Sequence, residues 1–117
     1  MKHTYNPEIR LKALKRDYMQ CQLCGKRENW NVHHCLYRSE APECVNCLWN
    51  LCTLCQDCHT EVHSDKQKYQ PLLLQLVGGE DWYEKIDQTE LSDATKKTLN
   101  YYRNLENRIG QRSFIEL

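Results

Sequence analysis

The sequence predicts a small α+β domain in which two short strands and a helix are stapled by paired cysteine knuckles and flanked by helices at both ends. Three observations carry this prediction. Eight cysteines stand in 117 residues, and four of them form two C-x-x-C pairs separated by thirty residues. Two short segments, Trp30–Leu36 and Leu51–Leu54, have the length and side-chain content of strands or extended pieces. Helical spacing of apolar residues precedes the first knuckle and resumes beyond residue 64. A chain of 117 residues is the size of one domain with one modest core. Domains this small often need added staples.

Taken in order, Asn6-Pro7 is a helix start, with Asn6 as N-cap and Pro7 in the first helical position. Leu11, Leu14 and Tyr18 form the expected apolar stripe, and Arg10, Lys12, Lys15 and Arg16 occupy other faces. That basic side is either an ordinary solvated surface or a phosphate-facing one. The strand Trp30–Leu36 follows, then a turn-like stretch over 38–49 containing Pro42, then the segment Leu51–Leu54. A helix beginning near Cys55–Cys58 carries His59 and His63 four apart on one face. Past residue 64 there are no further cysteines or histidines. The composition therefore divides the chain into residues 1–65 and a helical extension, residues 66–117, that packs on the first part or on a partner. Within it, Lys66–Val77 reads as a helix stopped by Gly78-Gly79, and Glu80–Ile86 as a short one. Ser92 caps a longer helix with Leu99, Tyr102, Leu105 and Ile109 on one stripe.

The cysteines read as metal ligands rather than disulfides. The N-terminus has no apolar run of secretory type, and the thiols come in C-x-x-C pairs interleaved with histidines. A reducing, cytoplasmic setting is expected. The longest apolar run is Leu72-Leu73-Leu74, so no membrane span is expected. Cys21, Cys24, Cys55 and Cys58 suit tetrahedral Zn²⁺. Such a closed four-sulfur site is structural, and metal binding then supplies folding free energy. Cys35, Cys44, Cys47 and Cys52 leave two readings open: a second zinc site, or small apolar side chains in the core.

Four of the five histidines fall in one pattern with an asparagine. His33-His34 is followed after fifteen residues by Asn50, after eight more by His59, and after three more by His63. Val32-His33-His34, Asn50-Leu51 and Leu54-Cys55-x-x-Cys58-His59 resemble the HNH endonucleases, a branch of the ββα-metal nucleases. The double histidine and the His59-x-x-x-His63 ending are similar to the colicin and pyocin DNases. The zinc knuckles are similar to zinc-containing HNH proteins of phages and restriction systems. Tail segments Gly79–Tyr83 and Leu99–Arg103 also resemble phage-encoded recombination or packaging nucleases. The HNH resemblance covers residues 18–63 and is specific as a set of motifs.

The resemblance implies a ββα-metal finger and assigns roles. His34 matches the general base that activates water. His33 stands at a metal-ligand position, and Asn50 matches the residue that holds the loop orienting the base. His59 matches the catalytic metal ligand that ends the motif, and His63 a further ligand. The implied cofactors are the structural zinc and one divalent ion (Mg²⁺, Mn²⁺, Ni²⁺ or Zn²⁺) at the histidines. The chain departs from the family in the length of the His34–Asn50 gap and in having Ser39-Glu40-Ala41-Pro42 where a Gly-Gly turn is usual. On chemical grounds, hydrolysis of a phosphodiester needs an activated water and a cation on the phosphate, and imidazoles serve both needs. His33 and His34 are neighbours on a strand and would point to opposite faces, so both reach one site only if the strand turns there. An alternative places His59 or His63 in the zinc cluster.

The net charge is zero, which is unusual for a free-standing DNA binder and leaves room for a partner protein that supplies grip. Residues 1–30 carry seven basic and three acidic side chains, and residues 31–63 carry one and four. The single basic residue of the middle segment, Arg38, is either a phosphate clamp or an unrelated surface residue. The expected function is hydrolysis of DNA by nicking or cutting. The competing reading is a non-catalytic zinc-ribbon module that binds nucleic acid or protein, but such a module has no use for His33, His34 and Asn50. A toxin-like nuclease domain fits the histidines but not the zinc knuckles or the small size.

Overall fold

The computed structural model describes residues 4–116, with side chains through residue 105. It is an α+β arrangement built on a two-stranded antiparallel sheet. Helix α1 spans Pro7–Arg16, and the Asn6 side chain accepts the Glu8 amide at 2.9 Å. Its buried residues are Ala13 and Leu14. The expected stripe fails at both ends. Leu11 is 45% exposed and Tyr18 is 78% exposed. For Tyr18 the reason is local: the helix stops at Arg16, and Tyr18 and Met19 take positive φ of 58° and 53°. Tyr18 therefore never joins the helical face that its spacing implies.

Strand β1, Trp30–His34, pairs with β2, Leu51–Cys55, with Trp30 opposite Cys55 and His34 opposite Leu51. β1 is shorter than expected: the Cys35 amide still donates to the Asn50 carbonyl in register, and the Leu36 amide then bonds to the Asn50 side-chain oxygen. Two short 3-10 helices, Pro42–Cys44 and Leu48–Asn50, fill the connection. α2, Gln56–Ser64, follows β2 directly. α3 (Lys66–Gly78), α4 (Trp82–Lys85) and α5 (Asp93–Glu116) complete the chain. Gly79, at φ +87°, lets the chain leave α3. The Ser92 hydroxyl accepts the Thr95 amide at the start of α5. Ile109, assigned to the α5 stripe, has its side chain outside the described residues.

One apolar cluster joins the two halves. Leu36 and Leu54 from the sheet region meet Leu73 and Leu74 of α3, Trp82 of α4, and Leu99 and Tyr102 of α5. The extension thus packs on the rest of the chain. Each fully buried leucine contributes roughly 1.5–3 kcal/mol by area burial. Among the described residues, no helix is long and apolar enough to cross a membrane.

A polar latch attaches α1 to the sheet. Arg16 donates to Asp17 Oδ1 at 2.8 Å and to the carbonyls of Leu48 and Leu51, and Asp17 Oδ2 accepts the Thr53 amide at 3.0 Å. Burial works against the charge of Arg16, but the Asp17 carboxylate outweighs it and holds the guanidinium above its ordinary pKa. Arg16 is therefore a structural residue, not part of a solvated basic face. Removing one partner of such a pair strands the other. Arg16→Ala is expected to lower unfolding free energy by roughly 2–4 kcal/mol in a denaturant titration of metal-loaded protein. Lys12→Ala, on the exposed face, should change it by less than about 0.5 kcal/mol. Equal effects would refute the latch.

Candidate metal centre and active site

The four predicted thiols come together. The sulfurs of Cys21, Cys24, Cys55 and Cys58 all lie within 4.8 Å of one another, and Cys24 and Cys55 are 3.5 Å apart. Tetrahedral ligation at about 2.3 Å spaces sulfurs about 3.8 Å apart, so the cluster suits a zinc-sized ion. The first knuckle is a tight turn: the Gly25 amide donates to the Cys21 carbonyl at 2.9 Å, and Gly25 has φ +84°. In the second, the Cys55 sulfur accepts the Cys58 amide at the start of α2. Burial alone would raise Cys21, but backbone groups of Cys24, Cys55 and Leu23 outweigh it and hold the thiol at about 6. Cys58 is driven upward, by burial first and then by the three facing sulfurs. Crowding of this kind opposes ionisation until a cation is shared among the thiolates.

Cys35, Cys44, Cys47 and Cys52 form no comparable cluster among the described residues. Cys35 and Cys52 are fully buried in the core, and burial pushes Cys35 up to about 12. The second-zinc reading is therefore not supported.

The histidines make a separate site. His33, His59 and His63 each offer a nitrogen within 4.8 Å of the others, and among the described residues no histidine joins the thiol cluster. His59 and His63 lie one turn apart on α2, with their Nε2 atoms 3.0 Å from each other. Nitrogens bound at about 2.1 Å to one ion are about 3.0–3.4 Å apart, so this pair is spaced for a shared cation. His33 comes from β1 and is buried. Burial, with the neighbouring His59, His63 and His34 rings, lowers it to about 4, against the opposing pull of Gln70. The ring is thus neutral near pH 7, as a ligand must be. Tyr37 stacks on His63 at 5.0 Å and closes one side.

His34 lies beside this cluster but outside it. Both His33 and His34 line one open cleft of about 320 Å³, together with Val32, Tyr37, Arg38, Ser39, His59 and His63. His34 is the last paired residue of β1. His34 Nε2 donates to the Val45 carbonyl at 3.1 Å, which leaves Nδ1 as the unprotonated nitrogen. Burial holds its pKa below the ordinary value; the Val45 bond opposes this, and the positive charge of Arg38 adds to it. Tyr5 packs edge-on against the ring at 4.9 Å.

Asn50 is buried and acts as a clamp. Its Oδ1 accepts the Leu36 amide at 2.6 Å, and its Nδ2 donates to the carbonyls of Leu36 and Cys44, each at 3.2 Å. It thereby joins the exit of β1 to the turn that carries Val45. Arg38 is exposed at the rim, with its guanidinium 5.9 Å from the Tyr5 ring, and it has no acidic partner among the described residues.

Sequence reasoning missed Gln70. This α3 residue is fully buried, and its Oε1 accepts from His33 Nε2 at 3.1 Å. The bond fixes the His33 tautomer and leaves Nδ1 as its bare nitrogen. Gln70 Nε2 finds no partner among the described residues, which costs about 1–3 kcal/mol. Its signal in the sequence is weak, since a glutamine before Pro71 in an amphipathic helix reads as surface. No protein-family model and no curated protein matches the chain.

Gln70→Leu is expected to keep the fold, and even to gain stability as the unpartnered amide disappears. Affinity for Mn²⁺ or Ni²⁺ at the histidines should fall roughly 10–100-fold by calorimetric titration of zinc-loaded protein. Unchanged affinity would show that Gln70 does not position His33.

Proposed function

We propose that this protein is a metal-dependent endonuclease of the HNH type, with a ββα-metal finger formed by β1, β2 and α2 and a structural zinc at Cys21, Cys24, Cys55 and Cys58. Its substrate on this reading is DNA. The observation that carries the proposal is the relation between His34 and the three-imidazole cluster. A fourth imidazole, excluded from the cluster but opening into the same cleft, is held by a backbone carbonyl with one nitrogen free. A zinc-ribbon binding module has no need of that arrangement.

The residues divide the work. His33, His59 and His63 would hold one divalent ion, which when bound supplies a Lewis acid for the charge that develops on phosphate and leaving oxygen. His34 takes the proton of the attacking water at Nδ1. The imidazolium so formed keeps its Nε2–H bond to Val45, and that carbonyl becomes a better partner as the ring gains charge. Asn50 keeps the Val45 turn in register with the end of β1, so the base stays aimed. Arg38 offers a guanidinium to a phosphate at the rim. Arg10, Lys12 and Lys15 remain exposed on α1 for flanking phosphates, whereas Arg16 does not. With no net charge, the chain gains grip on DNA from a partner protein.

His34→Ala is expected to keep fold and metal content and to lose nicking of supercoiled plasmid by roughly 10²–10⁴-fold in the presence of divalent ions. His33→Ala should instead weaken metal binding, with activity partly restored by excess ion. A His34→Ala protein, purified free of host nucleases, that cuts at the wild-type rate would overturn the assignment.

A further inference from the structure

Two cysteines remain outside both metal clusters and outside the inert core pair. Cys44 is fully buried and Cys47 is partly exposed. They are three residues apart, and the Cys47 amide donates to the Cys44 carbonyl at 3.2 Å. A turn of that kind keeps its end Cα atoms within about 7 Å, and disulfides span about 4.4–6.8 Å. The turn therefore sets the two thiols on one short loop.

All four residues of this turn reach the candidate site. The Cys44 carbonyl accepts from Asn50, and the Val45 carbonyl accepts from His34. The Asn46 side chain clasps the N-terminal segment, accepting the Asn6 amide at 2.7 Å and donating to the Thr4 carbonyl at 2.8 Å. Tyr5, between those two residues, lies against His34. Cys47 caps the helix that leads to Asn50, and its carbonyl accepts the Asn50 amide at 2.9 Å.

We propose that Cys44 and Cys47 form a reversible dithiol–disulfide pair whose closure displaces the Val45 carbonyl that holds His34. The effect on catalysis rests on the reading of His34 as the base; the disulfide chemistry does not. The hydrogen bond from Cys44 lowers the Cys47 thiol to about 7, against burial and the charges of Glu43 and Glu90 and with help from Trp49. A thiol near ambient pH is well placed to attack. The oxidant is a small-molecule disulfide such as oxidised glutathione. The Cys47 thiolate attacks one of its sulfurs, expels one thiolate and forms a mixed disulfide. Cys44 then loses its proton and attacks the Cys47 sulfur, expelling the second thiolate. Two protein thiols become one disulfide, and one small disulfide becomes two thiols. Closing the pair brings the two sulfurs to about 2.05 Å, and the turn must adjust to follow.

The test equilibrates zinc-loaded full-length protein in glutathione buffers of graded potential. Differential alkylation with mass spectrometry locates the disulfide, and imidazole ¹⁵N NMR follows His34. The expected result is a Cys44–Cys47 disulfide formed with zinc retained, a moved His34 ring signal, and plasmid nicking reduced at least about tenfold and recovered by dithiothreitol. Cys47→Ser should form no such disulfide, show no His34 response and nick DNA equally in both buffers. The proposal is overturned if Cys44 and Cys47 stay alkylatable where the zinc thiols oxidise. It is equally overturned if the disulfide forms and the His34 signal does not move. A reduced protein that closes the pair and shifts His34, yet never cuts DNA, supports the switch and counts against the nuclease reading alone.

Discussion

The architecture depends on bringing four sulfurs from two distant knuckles to within 4.8 Å of one another. Cys21 and Cys24 follow α1, and Cys55 and Cys58 sit where β2 becomes α2. Gathering them fixes the start of α2 against the loop before β1. Cys58 and His59 are consecutive on that helix, and His63 is one turn further on. The same constraint that closes the thiol site therefore sets the rotation of α2 and presents two imidazoles to His33. The Trp30–Cys55 register then places His33 and His34 at the far end of a five-residue pairing.

The helical extension is part of the site rather than an appendage. α3 sends Gln70 through the core to His33, and Lys66 of the same helix lies over the Tyr37 ring that stacks on His63. α5 reaches the loop carrying Val45 through Glu43, which accepts the Ser92 amide and the Thr95 hydroxyl. His33 and His34 thus each have a second group behind them: Gln70 behind His33, Val45 and Asn50 behind His34. Such outer partners decide tautomer and aim, and they come from segments remote in sequence.

Much of this was legible in the sequence where spacing has only one geometric solution. Paired C-x-x-C gaps and an i, i+4 histidine pair translate directly into sulfur and nitrogen clusters, and Asn6-Pro7 into a capped helix. The α+β class followed from the same segments. Periodicity failed where the backbone left its regular path. Tyr18 kept a helical spacing that the chain abandons at Asp17, and Arg16 turned inward because two carbonyls and Asp17 outbid water. The alternation of strand faces gave no sign that the adjacent His33 and His34 line one cleft. Gln70 was invisible because its burial is a tertiary fact with no local signature. For Cys44 and Cys47 the spacing left a second metal site open, and it is the absence of a four-ligand cluster around them among the described residues that speaks against it.

The central claim is that one small scaffold holds two metal sites of different character, a closed sulfur site and an open imidazole site. It is tested most directly by anomalous diffraction from crystals grown with zinc. The account predicts two zinc peaks, one about 2.3 Å from each of the four sulfurs and one bound by His33, His59 and His63 with His34 unligated. A single peak, or a histidine nitrogen completing the sulfur site, would contradict it.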